Sequence, residues 1–250
     1  MSNLINSVER ALDVLLYFNA KDAPVGVSQI SKELGVHKST VFRTLATLES
    51  RRFVAQDPES GKYSLGISLF ALGRKITVYD VFKPFAKRLC DEFKESINIS
   101  ILEMSASGTY KSTIVVKEDS KDNVLSVSPK IGTSMDCYCS SVGKCLLAFS
   151  SNVSTSAFEG YSFIDYTDNT IGTVAELLAE LEKVRKAGYA VDAEEQEVGL
   201  TCVGVPIFDR HGRAIAAMSV SGPTQRVRSR KLETVVARLR ETAAEITEHI

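Results

Sequence analysis

The sequence has no apolar run approaching the roughly 18 residues needed to cross a bilayer, so no membrane-spanning helix and no membrane partner are expected. Its opening, MSNLINSVERALDVL, carries Glu9, Arg10 and Asp13 inside the apolar pattern. It lacks a basic start followed by an apolar core and does not read as a secretory leader; the expected location is the cytoplasm. Cysteines number five, Cys90, Cys137, Cys139, Cys145 and Cys202. An odd count in a cytoplasmic chain argues against a disulfide framework. Histidines number three, His37, His211 and His249. There is no G-x-S-x-G elbow and no phosphate-binding glycine loop. A nucleophile at Cys202 or Ser141 would therefore lack an evident base, and neither an enzyme nor a cofactor is expected. Neither sign of charge dominates: 30 Lys and Arg stand against 31 Asp and Glu, a net charge of -1. Indiscriminate nucleic-acid binding is not suggested, while specific binding depends on where the positive charge sits.

What is present is a chain of 250 residues, long for one compact domain and comfortable for two. Residues 8–18 place Val8, Ala11, Leu12, Leu15 and Phe18 on one helical face, and Lys21 to Pro24 break the pattern. Ser28 suits an N-cap. Behind it, QISKELGV turns Ile30 and Leu34 inward and ends at Gly35, a residue suited to the left-handed turn that closes a helix. A second helix follows after two residues. Val41, Leu45 and Leu48 share its apolar face, and Lys38, Ser39, Thr40, Arg43 and Thr47 its polar one. Two short helices around a glycine turn, the second basic at its start, form a helix-turn-helix, whose second helix enters the major groove. Phe53–Gln56 and Lys62–Leu65 then read as strands around the turn Asp57–Gly61. A hairpin after a recognition helix is a wing, and Arg51, Arg52 and Lys62 would lie near phosphates, contacts that position without specifying sequence. Acidic residues nearly offset the basic ones here, so a single copy should bind modestly and a dimer reading two half-sites is expected.

The stretches RALDVL and SQISKELGVHKSTVFRTLATLESRRFVAQDPESGKYSLG closely resemble the IclR family of bacterial transcriptional regulators, through the KSTV-x-R recognition helix and the SG-x-Y-x-LG wing. One departure is His37, where family members often carry proline. The segment 67–80, with Leu69, Leu72 and Ile76 at helical spacing, is expected to be a linker helix between a winged helix-turn-helix domain, 1–66, and a larger domain, 81–250.

In that larger part, Phe82, Phe85, Leu89 and Phe93 mark a helix, with Cys90 near its buried face. INISILEM, STIVVKED and NVLSVS read as strands, with a turn over Ser128–Gly132. A helix starts near Ser140, and another runs to Gly188. Strands follow around Cys202–Phe208 and Ala214–Val220, joined by a turn at Asp209–Gly212, before a last helix. Helices interleaved with an antiparallel sheet indicate an α+β domain. Here too the chain resembles the IclR family, in GTSMDCYCSSVGKCLLAF and in VRKAGYAVDAEEQEVGLTCVGVPIFDRHGRAIAAMSVSGP. The resemblance implies a GAF-like effector-binding domain that takes a small carboxylate (a sugar acid, a keto acid or an aromatic acid). By the same resemblance, Ser140, Ser141, Asp192, Cys202, Ser219 and Ser221 line the pocket, with Leu200 on its apolar wall. From the residues alone, Ser219 and Ser221 share one face of a strand, and hydroxyls with backbone N–H groups at a helix start suit a carboxylate. Tyr138 departs from the family, where many members have histidine, and Cys137, Cys139 and Cys145 are added thiols. The partners expected are double-stranded operator DNA of pseudo-palindromic sequence, a small-molecule effector and further copies of the chain in a homodimer or homotetramer. The alternative is a metal- or redox-responsive regulator built on Cys137, Cys139 and Cys202. Cys-x-Cys is, however, a weaker zinc signal than a two-residue gap, and free cysteine is a common buried residue.

Overall fold

The computed structural model describes residues 5–19, 21, 23–73, 79–105, 108–120, 129–151, 153, 158 and 161–250. The chain divides into two units, residues 1–77 and 78–250.

In the first unit, α1 (Asn6–Asn19), α2 (Val27–Leu34) and α3 (Lys38–Ser50) precede a hairpin of β1 (Val54–Gln56) and β2 (Tyr63–Leu65), followed by α4 (Ile67–Gly73). The three helices close on Val14, Phe18, Ile30, Val41, Leu45 and Leu48. Gly35 ends α2 in the left-handed conformation, φ 65°, and its N–H bonds to the Ser31 carbonyl, an arrangement a side chain would strain. Tyr63 joins the hairpin to the helices, since its backbone N–H and C=O both pair with Val25 (2.8 and 2.9 Å). Two sequence expectations are corrected here. The N-cap of α2 is Gly26, and no side chain caps the helix; Ser28 lies exposed in the first turn. On α1 the buried side is Val14, Tyr17 and Phe18, with Ala11 and Leu15 partly covered. Val8 and Leu12, expected inward, are exposed and continue a stripe from Ile5 to Leu16. The expected linker helix is described as α4 up to Gly73 and as a short 3₁₀ turn at Asp80–Phe82. Residues 74–78, including Ile76, lie outside the described residues.

The second unit is a six-stranded antiparallel sheet in the order β5-β4-β3-β8-β7-β6. Its strands are β3 (Ser96–Met104), β4 (Tyr110–Glu118), β5 (Ser134–Asp136), β6 (Ala190–Ala193), β7 (Leu200–Phe208) and β8 (Ala214–Pro223). Helices α5 (Lys83–Phe93) and α9 (Leu232–His249) cover one face, packing on Ile97, Ile99, Val203, Val205, Met218 and Val220. Helices α6 (Ser141–Phe149) and α7 (Val174–Ala187) pack together on the other side with Ala190 and Ala217. A short α8 (Thr224–Arg228) follows β8, and Arg226 forks onto buried Glu95 at 2.7 and 2.8 Å. The apolar residues of β3, β7 and β8 alternate with Asn98, Ser100, Cys202, Ser219 and Ser221, so the strand period of two puts the polar set on the α6 face. The expected strand NVLSVS lies outside the described residues. The strands β5 and β6, four residues or fewer, and the five-residue α8 were not anticipated.

Candidate functional site

The first turn of α6 sits directly on the sheet because β7 has glycine beneath it. A Cβ on Gly204 would stand 3.0 Å from the Ser141 backbone and hydroxyl, and one on Gly143 would collide with the Cys137 backbone. Ser140 caps the helix, its Oγ accepting from the Gly143 N–H at 3.2 Å and donating to the Asp136 carbonyl at 3.2 Å. Between this helix start and the strands lies a cavity of about 190 Å³. All seven residues named from the sequence, Ser140, Ser141, Asp192, Leu200, Cys202, Ser219 and Ser221, line it. Sequence reasoning passed over Asn98, Ser100 and Gln196, which line it as well. Asn98 and Ser100 had left a signal, two polar residues alternating with isoleucine along one strand.

Cross-strand pairing explains the convergence. Asp192 lies opposite Cys202, Cys202 opposite Ser221, and Ser219 opposite Asn98. The Asn98 Nδ2 donates to Ser221 Oγ at 3.2 Å, and the Ser219 and Ser221 hydroxyls are 3.3 Å apart. Ile114, Met135, Val142 and Leu200 supply the apolar wall. Among the described lining residues there is no lysine, arginine or histidine, whereas Asp192 and Glu197 are acidic. An anion entering here must therefore be held by backbone N–H groups and hydroxyls at the start of α6 rather than by an ion pair. Asp192 itself is pushed up to about 7, chiefly by burial, with opposition from the Glu195 N–H that it accepts at 2.8 Å. Behind it, the fully buried Lys144 donates to the Val191 carbonyl and to Glu195 Oε1, both at 2.6 Å. Burial raises the Glu195 carboxyl and Lys144 opposes that shift.

The thiols are not gathered into one site. Cys202 faces the cavity, Cys139 donates to Gln196 Oε1 at 3.0 Å, and Cys137 is buried beside the Lys111–Asp136 pair. Burial pushes all three upward, Cys145 to about 12 and Cys90 to about 11, which suppresses the reactive thiolate. Among the described residues no three His, Cys, Asp or Glu groups stand close enough to hold one metal ion. The three histidines lie at the start of α3, in the β7–β8 turn and at the end of α9, and none is among the described residues that line the cavity.

In the first unit, Lys38, Ser39 and Arg43 are exposed on α3 and Thr40 is half-buried. Arg51, Arg52 and Lys62 are exposed around the hairpin, where Asp57 and Ser60 fix the turn through hydrogen bonds of 2.7 Å. Phe42, 55% exposed on α3, was not singled out from the sequence.

Residues 7–58 match the model of the IclR helix-turn-helix domain, and residues 71–248 match that of the bacterial transcriptional regulator IclR C-terminal domain. The chain belongs to the IclR family. It is 34% identical over 249 residues to the HTH-type transcriptional regulator KdgR of Escherichia coli K12, covering 97% of this chain and 92% of KdgR. The crystal structure of Thermotoga maritima IclR superposes with a TM-score of 0.74 and 28% identity, over 98% of both chains. An IclR homolog from Microbacterium hydrocarbonoxydans, solved in complex with 4-hydroxybenzoate, has the same fold, with a TM-score of 0.82, 22% identity and coverage of 97% and 98%. The chain is thus a transcriptional regulator with a DNA-binding helix-turn-helix, and the cavity lies in the family's C-terminal domain.

Proposed function

We propose that this IclR-family regulator binds a small carboxylate in the cavity beneath α6 and couples that binding to operator recognition. The observation that carries the reading is the convergence of Ser140, Ser141, Asp192, Leu200, Cys202, Ser219 and Ser221 on one cavity at a helix N-terminus. The positive end of the α6 dipole and the hydroxyls of Ser140 and Ser141 there favour an anionic end, and the Leu200 wall favours a short carbon chain. The volume, about 190 Å³, exceeds the roughly 150 Å³ that admits benzene and suits a sugar acid or keto acid. That the Microbacterium homolog was solved with 4-hydroxybenzoate, itself a carboxylate, supports the class.

On the DNA side, Lys38, Ser39, Thr40 and Arg43 read or brace the major groove, and Arg51, Arg52 and Lys62 contact phosphates. The exposed stripe Ile5, Val8, Leu12 and Leu16 on α1 is the kind of surface a second subunit covers. A homodimer, or a tetramer of two such pairs, would then hold two wings on the half-sites of a pseudo-palindromic operator in the cytoplasm. Effector shifts the balance between arrangements that fit the operator and those that do not, by no more than its differential affinity for them.

The test is a thermal-shift screen of the full chain against short carboxylic acids. A true effector at about 100 times its Kd adds roughly 2.7 kcal/mol, a shift of about 5–10 °C for a domain of this size. Selective hits that also change operator affinity support the reading. A folded chain that no carboxylate stabilises refutes it.

A further inference from the structure

The first half of α3 carries an aromatic side chain that the fold does not use. Phe42, the fifth residue of the helix, is more than half exposed, and the core of the first unit closes on Val41, Leu45 and Leu48 without it. The exposed residues Lys38, Ser39, Phe42, Arg43, Ala46 and Thr47 recur at spacings of three and four, so they share the side of the helix away from that core. This side is mixed in character. Lys38 and Arg43 are cationic, Ser39 and Thr47 carry hydroxyls, and Phe42 with Ala46, one turn further on, adds an apolar strip. No acidic residue precedes Glu49 on the helix, so the strip lies in surroundings that suit a polyanion. A phenylalanine scattered on a surface needs no explanation. One on the outer side of the second helix of a helix-turn-helix is different, because docking takes its ring out of water.

We propose that Phe42 reads the C5-methyl group of a thymine in the major groove, one in each operator half-site. This inference rests on the reading that α3 enters the groove, and goes further in naming the base that an uncharged residue selects. Base edges in the major groove present hydrogen-bond donors and acceptors together with one apolar group, the thymine methyl. A phenyl ring has no donor or acceptor to offer. Set against the polar edge of another base, it removes water and returns no hydrogen bond. Set against the methyl, it takes two apolar surfaces out of water together. The position agrees, since residues in the N-terminal part of a recognition helix reach base edges and Phe42 lies in the first half of α3.

The experiment uses the full chain and an operator selected from a random duplex pool. Each thymine is replaced in turn, symmetrically in both half-sites, by deoxyuridine, which pairs identically and lacks only the methyl. At one position the replacement is expected to weaken binding about fourfold per half-site, since one buried carbon is worth about 0.8 kcal/mol and about 1.4 kcal/mol is tenfold. Phe42→Ala should bind the unmodified operator more weakly, and at that position alone its penalty should fall below about 1.5-fold, the methyl having lost its contact. Phe42→Leu, still apolar, should keep most of the penalty. Because no charge is lost, the salt dependence of binding should match that of the parent chain. Three results would each overturn the inference: no thymine with such a penalty, a penalty that survives Phe42→Ala, or an oligomeric state altered by Phe42→Ala in sedimentation, which would put a second copy of the chain on the ring. If Arg43→Ala weakens operator binding and Phe42→Ala does not, α3 still enters the groove and only this inference falls. If neither variant weakens it, both fall.

Discussion

Lys144 sits 1% exposed within α6, with Glu195 Oε1 at 2.6 Å, the Val191 carbonyl at 2.6 Å and Glu180 at 3.6 Å. One ammonium thus ties the helix that roofs the cavity to α7, to β6 and to the segment after it. Glu195 in turn donates its backbone N–H to Asp192 inside the cavity. Replacing Lys144 with methionine keeps the stem but removes the charge. Glu195, whose Oε2 already has no partner among the described residues, would then be a buried carboxylate with no cation beside it. Breaking a buried pair from one side costs about 3–5 kcal/mol. At roughly 2–4 °C per kcal/mol for a domain of this size, Lys144→Met should lower the melting temperature by about 6–20 °C. Adding Glu195→Gln removes the stranded charge, and the double variant should regain at least about 1.5 kcal/mol over Lys144→Met. Calorimetric or circular-dichroism melting of the single variants and the double variant forms a complete cycle. A loss under about 1 kcal/mol for Lys144→Met, or strict additivity in the cycle, would refute the idea that this pair fastens the cavity roof.

Three further outcomes follow from the same geometry. Arg43→Ala should weaken binding to an operator selected from a random duplex pool by about 1–3 kcal/mol and leave effector affinity unchanged. Equal loss of both would point to misfolding instead. Asp192, raised to about 7, is neutral below that pH and anionic above it, and a second negative charge in the cavity repels an anionic ligand. Carboxylate affinity measured by titration should therefore fall between pH 6 and 8, by at most about tenfold per unit, and Asp192→Asn should flatten the profile; a rise with pH contradicts the assignment. The buried thiols, all shifted upward, should react with an aromatic disulfide reagent only on unfolding. A native-state thiol consumed within minutes would restore the redox reading.

The element order was largely legible because glycine and proline punctuate it and because the apolar period changes from helical to two where the strands begin. What stayed hidden has identifiable causes. Periodicity shows that a helix has an apolar side but not what covers it. On α1 the residues Val8 and Leu12 look as apolar as Val14 and Phe18, yet they are exposed while the latter are buried. The strands β5 and β6 are too short for an alternating pattern to rise above chance. Ser28 is a better cap by chemistry than Gly26, but the chain enters α2 two residues earlier, where Val25 is already held by Tyr63. The cavity residues were found through long resemblance and not through chemistry, since a serine in a strand has many ordinary uses. Asn98 and Ser100 were overlooked because only the register of β3 against β8 shows that they face the same volume as Ser219 and Ser221.

The alternation along β3, β7 and β8 has a consequence for how such a regulator can change. Ile97, Ile99, Val203, Val205, Met218 and Val220 hold the fold from one side, while their immediate neighbours Asn98, Ser100, Cys202, Ser219 and Ser221 line the cavity on the other. Foldability and selectivity are written in alternate letters of the same strands. Mutational drift, or a combinatorial library, confined to the second set can reshape the cavity without disturbing the first.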